Sequence, residues 1–156
     1  MNIKEMRISK HLTQEQAADL LQVSRRTYIN YEQEKVKVSE SKKAYICRVL
    51  EEYGKIDETH GILLVDDIKN ICEKVLNNYN VDFCYLFGSY AKGNAKENSD
   101  VDLFVSMDSC GEEFYNLSEN LRENLKKKVD LIHITQINKN VNLAKEIMKY
   151  GIKIYG

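Results

Sequence analysis

Two short acidic motifs in the second half of the chain carry the residue types that metal-dependent phosphoryl chemistry requires. Asp100 and Asp102 are separated by one residue at the start of an apolar run, and Asp130 is the second residue of a similar run, VDLIHI. Alternate residues of a β-strand point to the same face, so Asp100 and Asp102 can meet one hard cation such as Mg²⁺. A third carboxylate from another strand would complete the set used in two-metal phosphoryl or nucleotidyl transfer.

A glycine–serine pair upstream of these acids could hold phosphate. Gly88 and Ser89 follow the apolar run VDFCYLF, where a strand would pass into a helix. Free backbone N–H groups at such a terminus, together with a hydroxyl, bind phosphate without a charged side chain. Each feature is weak alone, because Gly-Ser pairs are common in turns, Asp-x-Asp motifs are often solvated loops, and an isolated Asp130 could be an edge-strand charge.

The elements that must position these residues alternate between two periodicities. Apolar residues recur at three- and four-residue steps in segments 63–79, 114–125 and 141–150, which predicts amphipathic helices. Short runs rich in β-branched and aromatic residues at 81–87, 101–105, 129–134 and 152–155 predict strands. The alternation predicts a small α/β unit with a mixed sheet of three to four strands flanked by helices.

The first half of the chain predicts helices only. Thr13 and Gln16 have the spacing of a capping box, Ser24 can cap the next helix, and a fourth helix should begin near Ser39 or Ser41. The polar, non-periodic segment 55–61 predicts a domain boundary. The fold class is therefore predicted to be an α+β two-domain chain, with an all-α bundle at 1–54, a linker at 55–61 and the α/β domain at 62–156.

Two capped helices joined by a short turn fit the geometry of a helix-turn-helix. The stretch LTQEQAADLLQVSRRTYINYEQEK resembles the Xre/Cro-like helix-turn-helix family. That resemblance implies that the second helix enters the major groove of DNA, where arginine can pair with guanine and asparagine with adenine. By position it places Arg25, Arg26 and Asn30 at base edges, and Gln14 and Ser24 near phosphates.

One position departs from that family. Gln22 stands in the turn where the family usually has glycine, which predicts a left-handed backbone at a cost of about 1 kcal/mol. The alternative interpretation is a small helical bundle whose exposed arginines are only solvated. A single helix-turn-helix reads few base pairs, so DNA binding would imply a homodimer or a hetero-oligomer that supplies two copies.

The stretch GSYAKGNAKENSDVDLFV, followed by VDLI, resembles the signature of polymerase-β-like nucleotidyltransferases over residues 62–156. The small size resembles the minimal nucleotidyltransferase (MNT) group, the antitoxins of HEPN/MNT toxin–antitoxin pairs. This resemblance implies that three aspartates are catalytic and ligate Mg²⁺ at a two-metal site, namely Asp100, Asp102 and Asp130. It implies that ATP is bound by Gly88, Ser89, Lys92 and Ser99. Lys92 replaces the arginine usual in this group, which keeps the charge but loses bidentate geometry.

The same resemblance implies a function. An MNT antitoxin would transfer AMP from ATP to a hydroxyl, expected to be a tyrosine, of a HEPN ribonuclease toxin, while the helix-turn-helix binds operator DNA and represses its own operon. Three alternatives stay open: a transcriptional repressor that binds nucleotide without catalysis, a steric antitoxin, and an α/β domain with incidental acids. A small-molecule nucleotidyltransferase is disfavoured, because the domain has no room for an extra substrate-binding domain.

Composition bounds these alternatives. The 156 residues are 43% hydrophobic and 30% charged with a net charge of −1, which excludes global disorder and a strong field toward membranes or nucleic acid. Residues 1–43 hold nine Lys and Arg against six acids, so any basic surface belongs to the helical half. The four cysteines are widely spaced, which disfavours a zinc site or a disulfide framework. Lack of a long apolar run predicts a soluble, cytoplasmic protein without a membrane partner.

Overall fold

The structure is a computed structural model that describes residues 2–156, and it divides into two compact units after Lys55. Of the predicted linker 55–61, Lys55 ends the first unit and residues 56–61 belong to the second. In its described residues the first unit contains four helices joined by turns and short loops, and no strand. Its helices are α1 (Ile3–Ser9), α2 (Gln14–Leu20), α3 (Arg25–Glu32) and α4 (Glu40–Glu52).

Side-chain caps start the helices of the first unit where the sequence predicted them. Thr13 and Gln16 form a reciprocal capping box at α2, the Ser24 hydroxyl accepts a hydrogen bond from the Thr27 N–H at α3, and Ser39 rather than Ser41 caps α4. Gln22 in the turn between α2 and α3 has a φ of 54°, the left-handed conformation predicted for that position. The local sequence therefore determines both the ends of α2 and α3 and the sharp turn between them.

A hydrophobic cluster and a shielded ion pair hold the first unit together. The Arg7 guanidinium donates to both carboxylate oxygens of Glu32, at 2.9 and 3.0 Å, and also to the Leu12 carbonyl at 2.7 Å. Only 14% of the Arg7 side chain and 3% of the Glu32 side chain are exposed, so water screens this pair little. The buried cluster consists of Ile3, Leu12, Ala17, Ala18, Tyr28, Ile46 and Leu50.

The second unit alternates helices and strands as predicted. Its elements are α5 (Val65–Leu76), β1 (Val81–Phe87), α6 (Gly88–Lys92), β2 (Val101–Met107), α7 (Glu112–Leu125), β3 (Val129–His133), a 3₁₀ helix (Ile134–Lys139), α8 (Val141–Tyr150) and β4 (Ile152–Tyr155). The sheet order is β3-β2-β1-β4, with β1 antiparallel to β2 and β4, and β2 parallel to β3. Helix α7 supplies the crossover that a parallel pair needs. The predicted mixed α/β fold is confirmed.

Strand alternation gives the sheet two different faces. Leu103 and Val105 of β2 belong to the main core together with residues of α5 and α7. Phe104 belongs to a smaller cluster on the opposite face, with Ile147 of α8. Asp102 shares this second face with Phe104, because residues two apart on a strand point the same way. Among residues 2–156, no helix is long and apolar enough to cross a membrane.

Candidate active site

The strand register brings two of the three predicted acids side by side. Asp102, the second residue of β2, pairs in register with Asp130, the second residue of β3, and on its other side with Phe87 at the end of β1. Asp102 is partly buried and Asp130 is exposed. Asp100 is exposed in the loop immediately before β2. All three carboxylates therefore lie at one end of the β1–β2–β3 part of the sheet.

Gly88 packs its backbone directly against the central carboxylate. It follows β1 without a break and has a φ of +69°, a conformation that side chains disfavour. A Cβ atom at this position would lie 2.1 Å from Oδ2 of Asp102. Any other residue would therefore have to displace the Asp102 side chain, so glycine is required here by both backbone conformation and space.

Burial and nearby negative charge distinguish Asp102 from the other two acids. Its partial burial, with Asp130, Asp100 and Glu146 nearby, raises the pKa of Asp102 to about 6, and the Lys92 ammonium acts weakly in the opposite direction. A carboxyl whose ionised form is disfavoured in this way gains most when a cation joins it. Such shifts concentrate at functional sites, although ion-pair networks also cause them.

Lys92 is held by two residues of α8 that the sequence did not single out. Its ammonium lies 2.7 Å from Oε1 of Glu146 and 5.1 Å from the centre of the Tyr150 ring. Glu146 adjoins the buried Ile147 on the side of α8 that faces the sheet. The only sequence signal for Glu146 was an acid next to the apolar stripe of its helix.

The two predicted serines lie in different surroundings. Ser89 is partly buried in α6, and its carbonyl accepts a hydrogen bond from the Asn94 N–H at 3.1 Å. The Ser99 hydroxyl accepts a hydrogen bond of 2.8 Å from the Lys96 N–H, which closes a turn just before Asp100. The Ser99 proton remains available for donation, but the oxygen already stabilises the loop.

The donor set fits a hard divalent cation that arrives with its substrate. Among residues 2–156, no three His, Cys, Asp or Glu side chains form a ready-made metal-binding cluster. Mg²⁺ is usually bound through one or two carboxylates together with substrate phosphates rather than in an all-protein cage. The carboxylate oxygens of Asp100, Asp102 and Asp130 match that mode of binding, and burial together with the neighbouring carboxylates raises the pKa of Asp102.

A cleft of about 350 Å³ opens next to two of the acids. Asp100 and Asp130 form one part of its wall, and Arg122 and Lys128 bring positive charge to the rest. The Arg122 guanidinium is fixed by Glu58, with nitrogen–oxygen distances of 2.6 and 3.0 Å. The cleft is thus polar and of mixed charge. Part of its wall is the Arg122 side chain, which is bound by a residue of the segment 56–61.

Of the predicted DNA-contacting residues, some are exposed on α3 and others already make contacts within the first unit. Arg25 and Arg26 are exposed in the first turn of α3, and Asn30 is half-buried one turn further on. Ser24 uses its hydroxyl to cap α3, and Gln14 Nε2 lies 3.5 Å from Oε1 of Glu32. The structure therefore presents the two arginines together on one exposed helical turn.

Family models match both halves of the chain. The model described as polymerase beta, nucleotidyltransferase matches residues 67–156, and the one described as helix-turn-helix matches residues 3–42. The chain belongs to the polymerase beta nucleotidyltransferase family, and it carries a helix-turn-helix domain before the nucleotidyltransferase domain.

Two relatives and two solved structures are similar to parts of this chain. Two Methanocaldococcus jannaschii proteins that carry the name protein adenylyltransferase are each 38% identical, one over 74 residues (44% of this chain, 86% of the relative) and one over 76 residues (44% and 76%). A toxin–antitoxin crystal structure with AMP-PNP is 26% identical over 59% of this chain and 74% of that chain, with a TM-score of 0.49. A complex of tri-AMPylated Shewanella oneidensis HEPN toxin with MNT antitoxin is 21% identical (60% and 73%), with a TM-score of 0.45.

The raised pKa of Asp102 gives a pH prediction for cation binding. Because the ionised carboxylate is the ligand and the pKa is about 6, Mn²⁺ should bind about tenfold more weakly at pH 5 than above pH 7. Titration of the full chain with Mn²⁺, followed by electron paramagnetic resonance, measures this directly. Asp102→Asn should reduce both the affinity and its pH dependence, and an affinity that stays constant from about pH 5 to 7 would contradict the prediction.

Proposed function

We propose that the C-terminal unit transfers AMP from ATP to a hydroxyl of a partner protein, with a tyrosine of a HEPN-family toxin as the acceptor. The observation that carries the proposal is the register of Asp102 beside Asp130, with the Gly88 backbone packed on the Asp102 carboxylate. The names of the two adenylyltransferase relatives and the resemblance to the MNT group support a protein acceptor.

The three acids share one role in this proposal, and Asp130 has a second. Asp100, Asp102 and Asp130 would hold Mg²⁺, which supplies charge neutralisation at the triphosphate and the departing pyrophosphate. The acceptor oxygen forms a bond to the α-phosphorus, the bond from that phosphorus to the bridging oxygen breaks, and pyrophosphate leaves. Asp130, exposed beside the cleft, takes the proton of the acceptor hydroxyl. A tyrosine needs this help because its ordinary pKa is about 10.

The nucleotide would lie on the α6 side of the acids. Gly88 and Ser89 offer backbone N–H groups and a hydroxyl to the phosphates, and the Ser99 hydroxyl can donate from the opposite loop. Lys92 would exchange its contact with Glu146 for the triphosphate, whose charge is larger. In the absence of ATP, the contact with Glu146 already keeps the Lys92 ammonium beside the site.

The N-terminal unit is proposed to bind operator DNA and to repress the operon that encodes the protein, as a homodimer or together with the toxin. Arg25→Ala and Arg26→Ala should each weaken operator binding about 10- to 100-fold, the loss expected for an arginine that reads a guanine. Band-shift assays with the upstream DNA at one fixed salt concentration measure this. Arg48→Ala is the matched control, because that arginine lies on α4 with its guanidinium over the Tyr45 ring. Equal losses for all three variants would indicate a non-specific charge effect.

The decisive experiment for the transfer reaction measures masses. The full chain is incubated with ATP, Mg²⁺ and the product of the adjacent open reading frame, and the intact masses of both proteins are recorded. One or more AMP increments on the partner, absent with Asp100→Asn/Asp102→Asn, would establish enzyme and acceptor together. Asp108→Asn, an exposed acid just beyond the far end of β2, is the control. A stable complex without any increment would leave a steric antitoxin or a nucleotide-binding repressor.

A further inference from the structure

A lysine with no exposed surface lies three residues before Asp130. Lys127 belongs to a run of three lysines, 126–128, between α7 and β3, and its relative exposure is 0% while both neighbours are exposed. In sequence the run looks like three solvated charges. Burying an ammonium group lowers stability unless its hydrogen bonds are satisfied. Lys127 must therefore make polar contacts that an apolar side chain could not make.

The ammonium of Lys127 has three carbonyl partners, as many as it has N–H groups. It donates to the carbonyls of His60, Gly61 and Glu97 at 3.0, 2.6 and 2.5 Å. Burial lowers the pKa of Lys127, and the carboxylates of Asp57 and Glu97 oppose that shift. Since each carbonyl belongs to backbone, the contacts fix the course of the chain rather than the rotamer of a single side chain.

These bonds join two segments that are far apart in sequence. One is the segment 56–61, and the other is the loop between α6 and β2 that ends at Asp100. A second contact runs in parallel, because the Gly61 N–H donates to Oε1 of Glu97 at 3.2 Å. After Asp100, the Val101 N–H donates to the Lys128 carbonyl at 2.9 Å. Asp100 is therefore held on both sides by residues of the lysine run.

We propose that Lys127 is a positioning residue for Asp100, which sets the loop so that this carboxylate can share a divalent cation with Asp102 and Asp130. The inference rests on the proposed function for the identity of the cation site. Lys127 itself touches neither metal nor nucleotide, because its ammonium is saturated by the three carbonyls. Replacing it by methionine keeps the length and apolar stem but leaves those carbonyls without their donor.

The test is a titration of the full chain with Mn²⁺ alone, followed by electron paramagnetic resonance. Lys127→Met should weaken Mn²⁺ binding about tenfold, the lower end of the loss seen when an outer partner of a metal ligand is removed. Lys126→Met, the exposed neighbour, should bind as the native chain does. The double variant Lys127→Met/Asp100→Asn should bind no more weakly than Asp100→Asn, because Lys127 acts through that carboxylate.

Two results would overturn the inference: native Mn²⁺ affinity in Lys127→Met, or losses that add fully in the double variant. If Lys127→Met shows no cooperative thermal transition, Glu97→Ala decides, since it keeps the three carbonyl partners of Lys127 and removes the carboxylate that accepts from the Gly61 N–H. A few-fold weaker Mn²⁺ affinity would support the positioning role, and an unchanged one would refute it. The readout needs neither ATP nor acceptor, so absence of AMP transfer in the native chain would refute the proposed function and leave this result standing.

Discussion

Asp102→Asn should lower the rate of AMP transfer by about 10²- to 10³-fold, the loss typical of removing one charge-stabilising group from an active site. Asp102 is the only one of the three acids that is both partly buried and flanked by strands on either side. Its replacement removes the central carboxylate and preserves the volume of the side chain. Single-turnover transfer at saturating Mg²⁺ and ATP measures the effect, and Asp108→Asn should retain the native rate.

The same substitution should make the free protein more resistant to heat at neutral pH. The pKa of Asp102 is about 6 in the folded chain, above the value of about 3.9 expected when unfolded. Between these values the folded state binds more protons, so ionisation of Asp102 lowers the free energy of unfolding as pH rises through that window. Above about pH 6 the whole penalty is present, and asparagine removes it.

Thermal melts at two pH values separate this effect from general stabilisation. The melting temperature of Asp102→Asn should exceed that of the native chain at about pH 7.5, and the difference should shrink near pH 4, where both side chains are neutral. Loss of activity together with loss of stability at neutral pH would show that Asp102 is a structural residue. Gain of stability with loss of activity is the combination expected of a carboxylate kept for its chemistry.

Gly88→Ala should reduce transfer by about 100-fold, because displacement of a catalytic group by an ångström can cost that much. The added methyl would lie 2.1 Å from Oδ2 of Asp102, and the backbone at φ +69° would resist moving to relieve the contact. The free energy of unfolding should also fall by at least about 1 kcal/mol from the left-handed backbone alone. Transfer rates and thermal melts of the same preparation measure both effects.

Gly93→Ala is the matched control for this prediction. Gly93 also has a left-handed backbone, with a φ of +76°, but no atom lies within 4 Å of the position that its Cβ would take. The control should therefore show the backbone penalty of about 1 kcal/mol with a transfer rate within a few-fold of native. Similar rates for the two variants would show that the contact with Asp102 is unimportant for catalysis.

Local features of the fold could be predicted because local chemistry determines them. The capping box of Thr13 and Gln16 and the left-handed turn at Gln22 depend on neighbours a few residues away. Strand alternation put Asp102 on one face of β2, and the parallel register then placed Asp130 beside it. The sequence thus predicted strands at Asp102 and Asp130, whereas Asp100, expected on the same strand as Asp102, lies in the loop just before β2.

The contacts that organise the site come from distant parts of the chain, and the periodicity of the sequence does not predict them. Lys127 looks the same in sequence as the exposed lysines on either side, and its burial follows from carbonyls contributed by residues 60, 61 and 97. Glu146 looks like one more surface acid of an amphipathic helix, until α8 packs on the sheet and sets it against Lys92. Both were missed for the same physical reason, since tertiary packing decides their surroundings.

The contacts of Lys127 also determine where in the chain the nucleotidyltransferase unit begins. Ile56 packs against the core of the nucleotidyltransferase unit, and the next residues supply two of the three carbonyls for the buried lysine. A recombination event that joined a different DNA-binding head at Ile62 would discard this support along with the old head. A recombination event that joined the new head at Lys55 would keep residues 56–61 and their contacts with Lys127. If Lys127 positions Asp100 as proposed, a nucleotidyltransferase unit transferred to another protein needs residues 56–61, a stretch that contains none of its sequence motifs.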